Sequence, residues 1–381
     1  MNNISYGRHF ISQDDIDAVV STLRSDFLTQ GPVVPSFEKA VCQKTSSSYS
    51  VAVNSATSAL HIAYLALDLR EGDTLWTSPN TFVATANAAL FCRAKVDFVD
   101  IDEKTYNLCA KKLEEKLIKA KKLNKLPKIV VPVHFSGQPC DMKSIHELSQ
   151  KYGFSIVEDA SHAIGAKYQG NPVGNCEYSD ITVFSFHPVK IITSGEGGIS
   201  TTNSEKLYKK MKGFSNHFIT RDEKEMTCEP DGPWTYQQLG LGFNFRLPDI
   251  LASLGLSQLK SLDKFVERRN KIAAHYNDSL SDCPITLPFQ MEGSYSSYHL
   301  YVVKTDDRMR VYNQLRELKI FPGVHYIPVH LQPFYKNLGF NKGDFPNSES
   351  FYQSCLSIPI YYHISEAEIE HVCNSLIECL R

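Results

Sequence analysis

Between about residues 50 and 200 the chain alternates short apolar runs with amphipathic stretches. That alternation predicts an α/β fold built on a largely parallel sheet. Val51-Ala52-Val53-Asn54 reads as a strand. It runs into Ser55-Ala56-Thr57-Ser58-Ala59-Leu60, where small and hydroxyl residues open a helix carrying Leu60, Ala63, Tyr64 and Leu67. Ser78-Pro79-Asn80-Thr81-Phe82 is a loop leading into a helix of small residues. Residues 95–102 alternate apolar and acidic positions as a strand does, and 111–125 form a charged helix. Residues 128–135 are an apolar run, 141–152 a helix, and 154–157 a strand that ends at Glu158-Asp159. Residues 180–184 read as a buried strand, stopped by Pro188, which lacks the N–H a central strand needs. Lys190 follows, and then Gly195-Glu196-Gly197-Gly198 lets the backbone turn sharply.

The flanks differ. Ser12-Gln13-Asp14-Asp15 reads as a helix N-cap with an acidic first turn, Thr29-Gln30-Gly31-Pro32 breaks that helix, and 34–45 form another. Leu247-Pro248-Asp249 opens one long helix to about residue 280. Beyond it lie a strand (297–304), a helix (308–318), an aromatic and histidine-rich loop (324–330), and a last helix with the capping box Ser365-Glu366-Ala367-Glu368. These patterns divide the chain into a large domain, 1–250, and a linking helix with a small C-terminal α/β lobe, 251–381. The first 30 or so residues are candidates to pack on the small lobe.

Composition narrows the function classes. The 381 residues are 42% hydrophobic and carry a formal net charge of −2, with no basic stripe, which argues against nucleic acid and membrane as partners. The ten cysteines are scattered without a C-x-x-C pair, which fits a reduced, cytoplasmic protein better than a disulfide framework or a metal site. The first residues are too polar for a signal peptide, and no apolar run is long enough to span a bilayer. Residues 221–231 form the polar segment most suited to be mobile.

In open α/β sheets ligands bind at the carboxyl ends of strands. Thr57, Phe82, Asp159 and Lys190 all fall at strand or loop ends. Each has a plainer reading: Thr57 in an ordinary helix start, Phe82 as a core plug, Asp159 as a helix cap, Lys190 as a solvated loop residue. Taken together they suggest a phosphate seat, a ring cover, a carboxylate for a pyridine nitrogen and a Schiff-base lysine. His162 could orient Asp159 or be a satisfied core histidine.

Several blocks occur in order along nearly the whole chain. They are Leu28-Thr29-Gln30-Gly31-Pro32, Asn54-Ser55-Ala56-Thr57-Ser58-Ala59-Leu60-His61, Thr81-Phe82-Val83-Ala84-Thr85-Ala86-Asn87, Glu158-Asp159-Ala160-Ser161-His162-Ala163, Phe184-Ser185-Phe186-His187-Pro188-Val189-Lys190, Gly242-Phe243-Asn244-Phe245-Arg246 and His325-Tyr326-Ile327-Pro328-Val329-His330. With them the chain resembles the DegT/StrS-type nucleotide-sugar aminotransferases. The resemblance implies the aspartate-aminotransferase-like fold type I of pyridoxal 5′-phosphate (PLP) enzymes. The Ser-Phe-His-Pro-Val-Lys block, with the Thr-Phe-Val-Ala-Thr-Ala-Asn block, looks most like the pseudaminic acid branch, whose enzymes are transaminases for UDP-4-amino-4,6-dideoxy-N-acetyl-β-L-altrosamine. Pro248-Asp249 stands where Asn-Glu or Thr-Glu is more usual after the Asn-Phe-Arg motif in that family.

By this resemblance Lys190 holds PLP, Asp159 keeps its pyridine nitrogen protonated, and Phe82 stacks on the ring. Thr57, Ser58 and Ser185 bind the phosphate, Gln138 lies near the ring hydroxyl, and Asn244 arrives from the second subunit of a homodimer with shared sites. Tyr6, Thr29, His325 and Tyr326 stand at the sugar-nucleotide mouth. The implied reaction moves an amino group from L-glutamate to C4 of a UDP-4-keto-6-deoxy-N-acetyl hexose. Three rivals remain open on the sequence. A PLP-dependent sugar dehydratase carries His at the lysine position, which Lys190 argues against. Another family aminotransferase would differ in sugar configuration or act at C3. A PLP-binding regulator would not need Lys190, Asp159 and Ser185 together.

Overall fold

Seven strands form the central sheet of the computed structural model, which describes residues 3–381. In chain order they are β1 (Tyr49–Val53), β2 (Thr74–Thr77), β3 (Lys95–Phe98), β4 (Ile129–Val131), β5 (Ser155–Asp159), β6 (Ile181–Ser185) and β7 (Gly198–Thr202). Their spatial order is β1-β7-β6-β5-β4-β2-β3, and β7 alone runs against the others. The sheet is buried on both faces, so its strands read as near-continuous apolar runs. Side-chain alternation still sorts them. Val51, Val53, Ile181 and Val183 join one core, Ala52, Phe184 and Ile199 the opposite one.

On the first face lies α1 (Ala56–Ala66), buried almost all round because Ala59, Ala63 and Ala66 let it approach the strands closely. Beside it runs α2 (Val83–Phe91), also rich in alanine. The other face is covered by Phe37 and Val41 from a helix over Val33–Thr45, and by Leu247, Ala252, Leu259 and Phe265.

The small lobe pairs Tyr301–Lys304 with Cys355–Ile358, antiparallel, and covers them with helices Arg308–Glu317 and Glu366–Leu380. The capping box is formed as expected: Ser365 Oγ accepts from the Glu368 N–H, and Glu368 accepts from the Ser365 N–H at 2.8 Å. Ile4–Ser5 adds to this lobe by pairing parallel with Ile320–Phe321. The helix Gln13–Leu23 instead packs on Asp249–Leu259.

Three expectations about elements need correction. The long helix is two, Asp249–Leu259 and Leu262–Ser279. The Lys260 and Ser261 N–H groups bond back to Ser257 and Gln258, tightening the turn and ending the first helix. The strand expected over 95–102 stops at Phe98, because Asp100 and Asp102 fold their carboxylates onto nearby backbone N–H groups. The strand expected over 297–304 starts only at Tyr301. Among the described residues no helix is long and apolar enough to cross a membrane, and no cluster of His, Cys, Asp and Glu has metal-binding form.

Candidate active site

The sheet brings four chain segments to one edge. Gly198, the first residue of β7, lies opposite Val53 on one side and Ser185 on the other, and Asp159 stands opposite Val183. Val53 leads through Asn54 to Ser55, whose Oγ accepts from the Ser58 N–H and caps α1. A Cβ on Gly198 would come within 2.5 Å of the Ala56 nitrogen, so a glycine is needed for the strand to pass beneath this helix start. The amides of Ala56 and Thr57, in the first turn, have no acceptor within the helix. Both residues line a cavity of about 480 Å³, a normal size for a small-molecule site.

Lys190 enters that cavity from the loop after β6. Its own N–H donates to the His187 carbonyl at 2.9 Å, and Ser194 N–H and Thr193 Oγ1 both donate to the Phe186 carbonyl. Gly195, at φ +84°, completes the turn. Burial pushes the Lys190 ammonium down to about 8, although the Asp159 carboxylate opposes the shift. An amine so lowered is partly unprotonated near neutral pH and can act as nucleophile or base.

Asp159, the last residue of β5, is buried. Its Oδ2 accepts from Thr85 Oγ1 at 2.6 Å, and its Oδ1 accepts from the Ser161 N–H at 3.1 Å. Thr85 is also bonded to Thr81 at 2.8 Å. The segment after Asp159 forms turns and no helix, so the helix-cap reading fails. Phe82 stands at the N-cap of α2 and is 59% exposed, so it does not plug the core; its ring borders the cavity 6.2 Å from that of Tyr326.

The far wall comes from the small lobe and the N-terminal segment. Tyr6 meets His325 edge-on at 4.9 Å, and Tyr326 and His299 close the side. His325 Nδ1 bonds Ser357 Oγ at 2.8 Å, and burial, together with Lys190, lowers this imidazole to about 4. His162 belongs to the wall itself, with its ring 4.3 Å from that of His299.

Thus Lys190, Asp159, Thr57, Phe82, Ser185, Tyr6, His325 and Tyr326 share one cavity. Four expected residues stand elsewhere. Ser58 turns its hydroxyl to Asn54 Oδ1 at 2.7 Å, outside the cavity. Gln138 accepts the Met291 N–H at 2.7 Å, because left-handed Ser136 and Gly137 turn the chain away from the site. Thr29 is exposed on a turn that Asp249 ties to its own helix by accepting the Gly31 and Val33 N–H groups at 3.1 and 3.0 Å. Asn244 is exposed, on a segment bridged to Asn216, and does not line the cavity of its own chain.

Sequence reasoning passed over Thr85, Ser161 and His299 as site residues. The Thr81–Thr85 spacing of four, at the start of a helix, could have flagged a hydroxyl pair on one face. Nothing local marks His299, which reaches the cavity only through the packing of the two lobes.

The model of the DegT/DnrJ/EryC1/StrS aminotransferase family matches residues 9–377. A UDP-4-amino-4,6-dideoxy-N-acetyl-β-L-altrosamine transaminase of Campylobacter jejuni is 36% identical over 383 residues, covering 99% of this chain and 97% of that protein. Among solved structures, Helicobacter pylori PseC, an aminotransferase involved in the biosynthesis of pseudoaminic acid, superposes with a TM-score of 0.91 at 30% identity, covering 100% of this chain and 99% of that one. Spr1654 of Streptococcus pneumoniae in its PLP form gives 0.89 at 27% identity, covering 99% and 98%.

Proposed function

The chain belongs to the DegT/DnrJ/EryC1/StrS aminotransferase family, and from that premise we propose that it transfers the amino group of L-glutamate to C4 of a UDP-4-keto-6-deoxy-N-acetyl hexose, in pseudaminic acid synthesis. Its fold is that of the fold type I PLP transferases, its cofactor is PLP and its class of reaction is sugar amination. The observation that carries the residue roles is one cavity lined by Lys190, Asp159 and the first-turn residues Ala56 and Thr57 of α1. That set fits PLP: a lysine amine partly unprotonated near neutral pH for the carbonyl, a carboxylate for the pyridine nitrogen, and first-turn N–H groups without helical acceptors at a positive helix end for the phosphate.

When bound, PLP supplies a carbon for amine exchange and an electron-withdrawing pyridinium. Lys190 would hold that carbon and, when free, would be placed to take up and return a proton; an amine at about 8 suits both directions near neutral pH. Asp159, its two oxygens fixed by Thr85 and Ser161, would hold the proton on the pyridine nitrogen. Thr57, Ser185 and the Ala56 amide would hold the phosphate, and Phe82 would cover the ring. Tyr6, His325 and Tyr326 form the mouth for the sugar nucleotide. The choice of sugar is supported by the similarity to the C. jejuni transaminase and to PseC. Incubating the holoenzyme with glutamate and UDP-4-keto sugars of defined configuration, and identifying products by NMR, should give the 4-amino-4,6-dideoxy sugar of the L-altro series. Turnover of 3-keto substrates alone would overturn the C4 assignment.

The same reading makes the enzyme a homodimer in which Asn244 of a second copy completes the phosphate site. Its support is that Asn244 is exposed and Leu241 beside it is 81% exposed, a combination suited to a partner surface. Lys190→Ala and Asn244→Ala proteins refolded together should regain activity above the sum of the parents, since one site per heterodimer has both residues intact. No gain despite confirmed heterodimers would place Asn244 in its own subunit.

A further inference from the structure

His162 makes two hydrogen bonds whose directions depend on each other. Its Nδ1 lies 3.2 Å from the Ser136 amide nitrogen, and a backbone amide can only donate. Nδ1 is therefore an acceptor and carries no proton. Burial, with Lys190 and His325 nearby, holds His162 well below the usual imidazole range, so the ring has a single proton and it sits on Nε2. Nε2 is 3.0 Å from the Tyr326 hydroxyl and donates to it. The tyrosine oxygen thereby becomes the acceptor of this pair, and its own proton must point elsewhere. Tyr326 lines the cavity, and among the described residues no second partner receives that proton.

We propose that Ser136 and His162 lock the Tyr326 hydroxyl as a hydrogen-bond donor aimed into the cavity, where it recognises an oxygen lone pair of the bound substrate. The inference rests on the aminotransferase reading for its substrates but not for the direction of the bonds. The acceptor belongs to one of two sources, the carboxylate of the amino donor or an oxygen of the keto sugar, and both offer the same chemistry. In this role His162 is a positioning residue, acting through Tyr326. A site built to donate to a substrate oxygen discriminates against ligands lacking it, because its donor is otherwise left unpaired. Burial, with Tyr6 and Asp159 nearby, raises the tyrosine above its ordinary range and keeps it a donor across the working pH.

Two experiments test the proposal. In wild-type holoenzyme labelled with ¹⁵N-histidine, assigned through the loss of one ring signal in His162→Gln, NMR should find His162 neutral and protonated on Nε2. Protonation on Nδ1 would overturn the proposal whatever the substrate proves to be. The second is single-turnover kinetics of Tyr326→Phe, following the two half-reactions separately by cofactor absorbance. The half-saturation concentration of glutamate or of the keto sugar should rise about fivefold or more, the range expected for one lost hydrogen bond, and the half-reaction affected names the source. His162→Gln, which keeps an N–H donor, should stay closer to wild type than His162→Leu. Changes below about fivefold in both half-reactions of Tyr326→Phe, even with an altered cofactor spectrum, would overturn the proposal. If wild type itself completes neither half-reaction, the proposed function fails while the NMR result still decides the bond directions.

Discussion

Glu158 and Asp159 are consecutive residues of β5, both buried, and they face opposite sides of the sheet. Glu158 looks into a closed polar cluster. It accepts from His134 Nε2 at 2.7 Å, Ser179 Oγ at 2.5 Å and Thr182 Oγ1 at 2.9 Å, while His134 Nδ1 accepts the Cys140 N–H. Burial alone would raise this carboxyl, but those donors outweigh it and hold it below its ordinary value. Asp159 looks into the cavity, with a hydroxyl and an amide to orient it and Lys190 across the space. One carboxylate is spent within the fold, and the other has capacity left for a ligand. Burial of a charge thus does not mark a functional site; burial beside an open volume, with bonding capacity to spare, does.

If that contrast is right, substitutions on the cavity side cost turnover and spare the fold, and those on the far side do the reverse. The largest effect belongs to Lys190→Met, which should lower turnover by about 10⁴-fold or more, the upper range of acid–base catalysis. Stability of the cofactor-free protein should move the other way. Lys190 sits at about 8 in the folded chain and near 10.4 when unfolded, so the unfolded state binds more protons between those values. The cost to stability is full below about pH 8 and gone above about 10.4. Lys190→Met should therefore melt higher than wild type at pH 7, with the gain vanishing near pH 10.5. A lower melting temperature at pH 7 would make Lys190 structural.

Asp159→Asn comes next. Turnover should fall by about 10²–10³-fold, the cost of losing one preorganised charge, with stability changed by about 1 kcal/mol or less. Glu158→Gln should invert that result: a stability loss of about 1–3 kcal/mol in denaturant titration, with turnover within about threefold of wild type. The Glu158 contribution has its own pH signature. With a folded pKa below the unfolded one, it is present above about pH 4.3 and lost as pH falls through the folded value, so the two proteins should converge only in acid. Equal losses of activity in both variants would erase the distinction between the two faces.

How much of this was legible in the sequence depends on distance along the chain. Asp159 and Ser185 were legible because each ends a strand whose apolar pattern is local, and Lys190 because it follows such a strand in the loop beyond Pro188; a parallel sheet collects its strand ends at one edge. Phe82 was legible as a loop aromatic, but only its exposure decided between core and cavity. Gln138 misled because two successive left-handed residues, Ser136 and Gly137, reverse the chain just before it, and no periodicity announces that. The His162–Tyr326 contact joins residues 164 positions apart across two lobes, so it exists only in the packed molecule.

The most direct test of the account is to reduce the PLP-bound protein with borohydride and map the labelled peptide. Lys190 is the lysine lining the cavity with Asp159, and burial has lowered its ammonium toward the reactive range. The account predicts the cofactor fixed on Lys190 and no label once Lys190 is replaced by methionine. A label on any other lysine, or undiminished labelling of the variant, would contradict it.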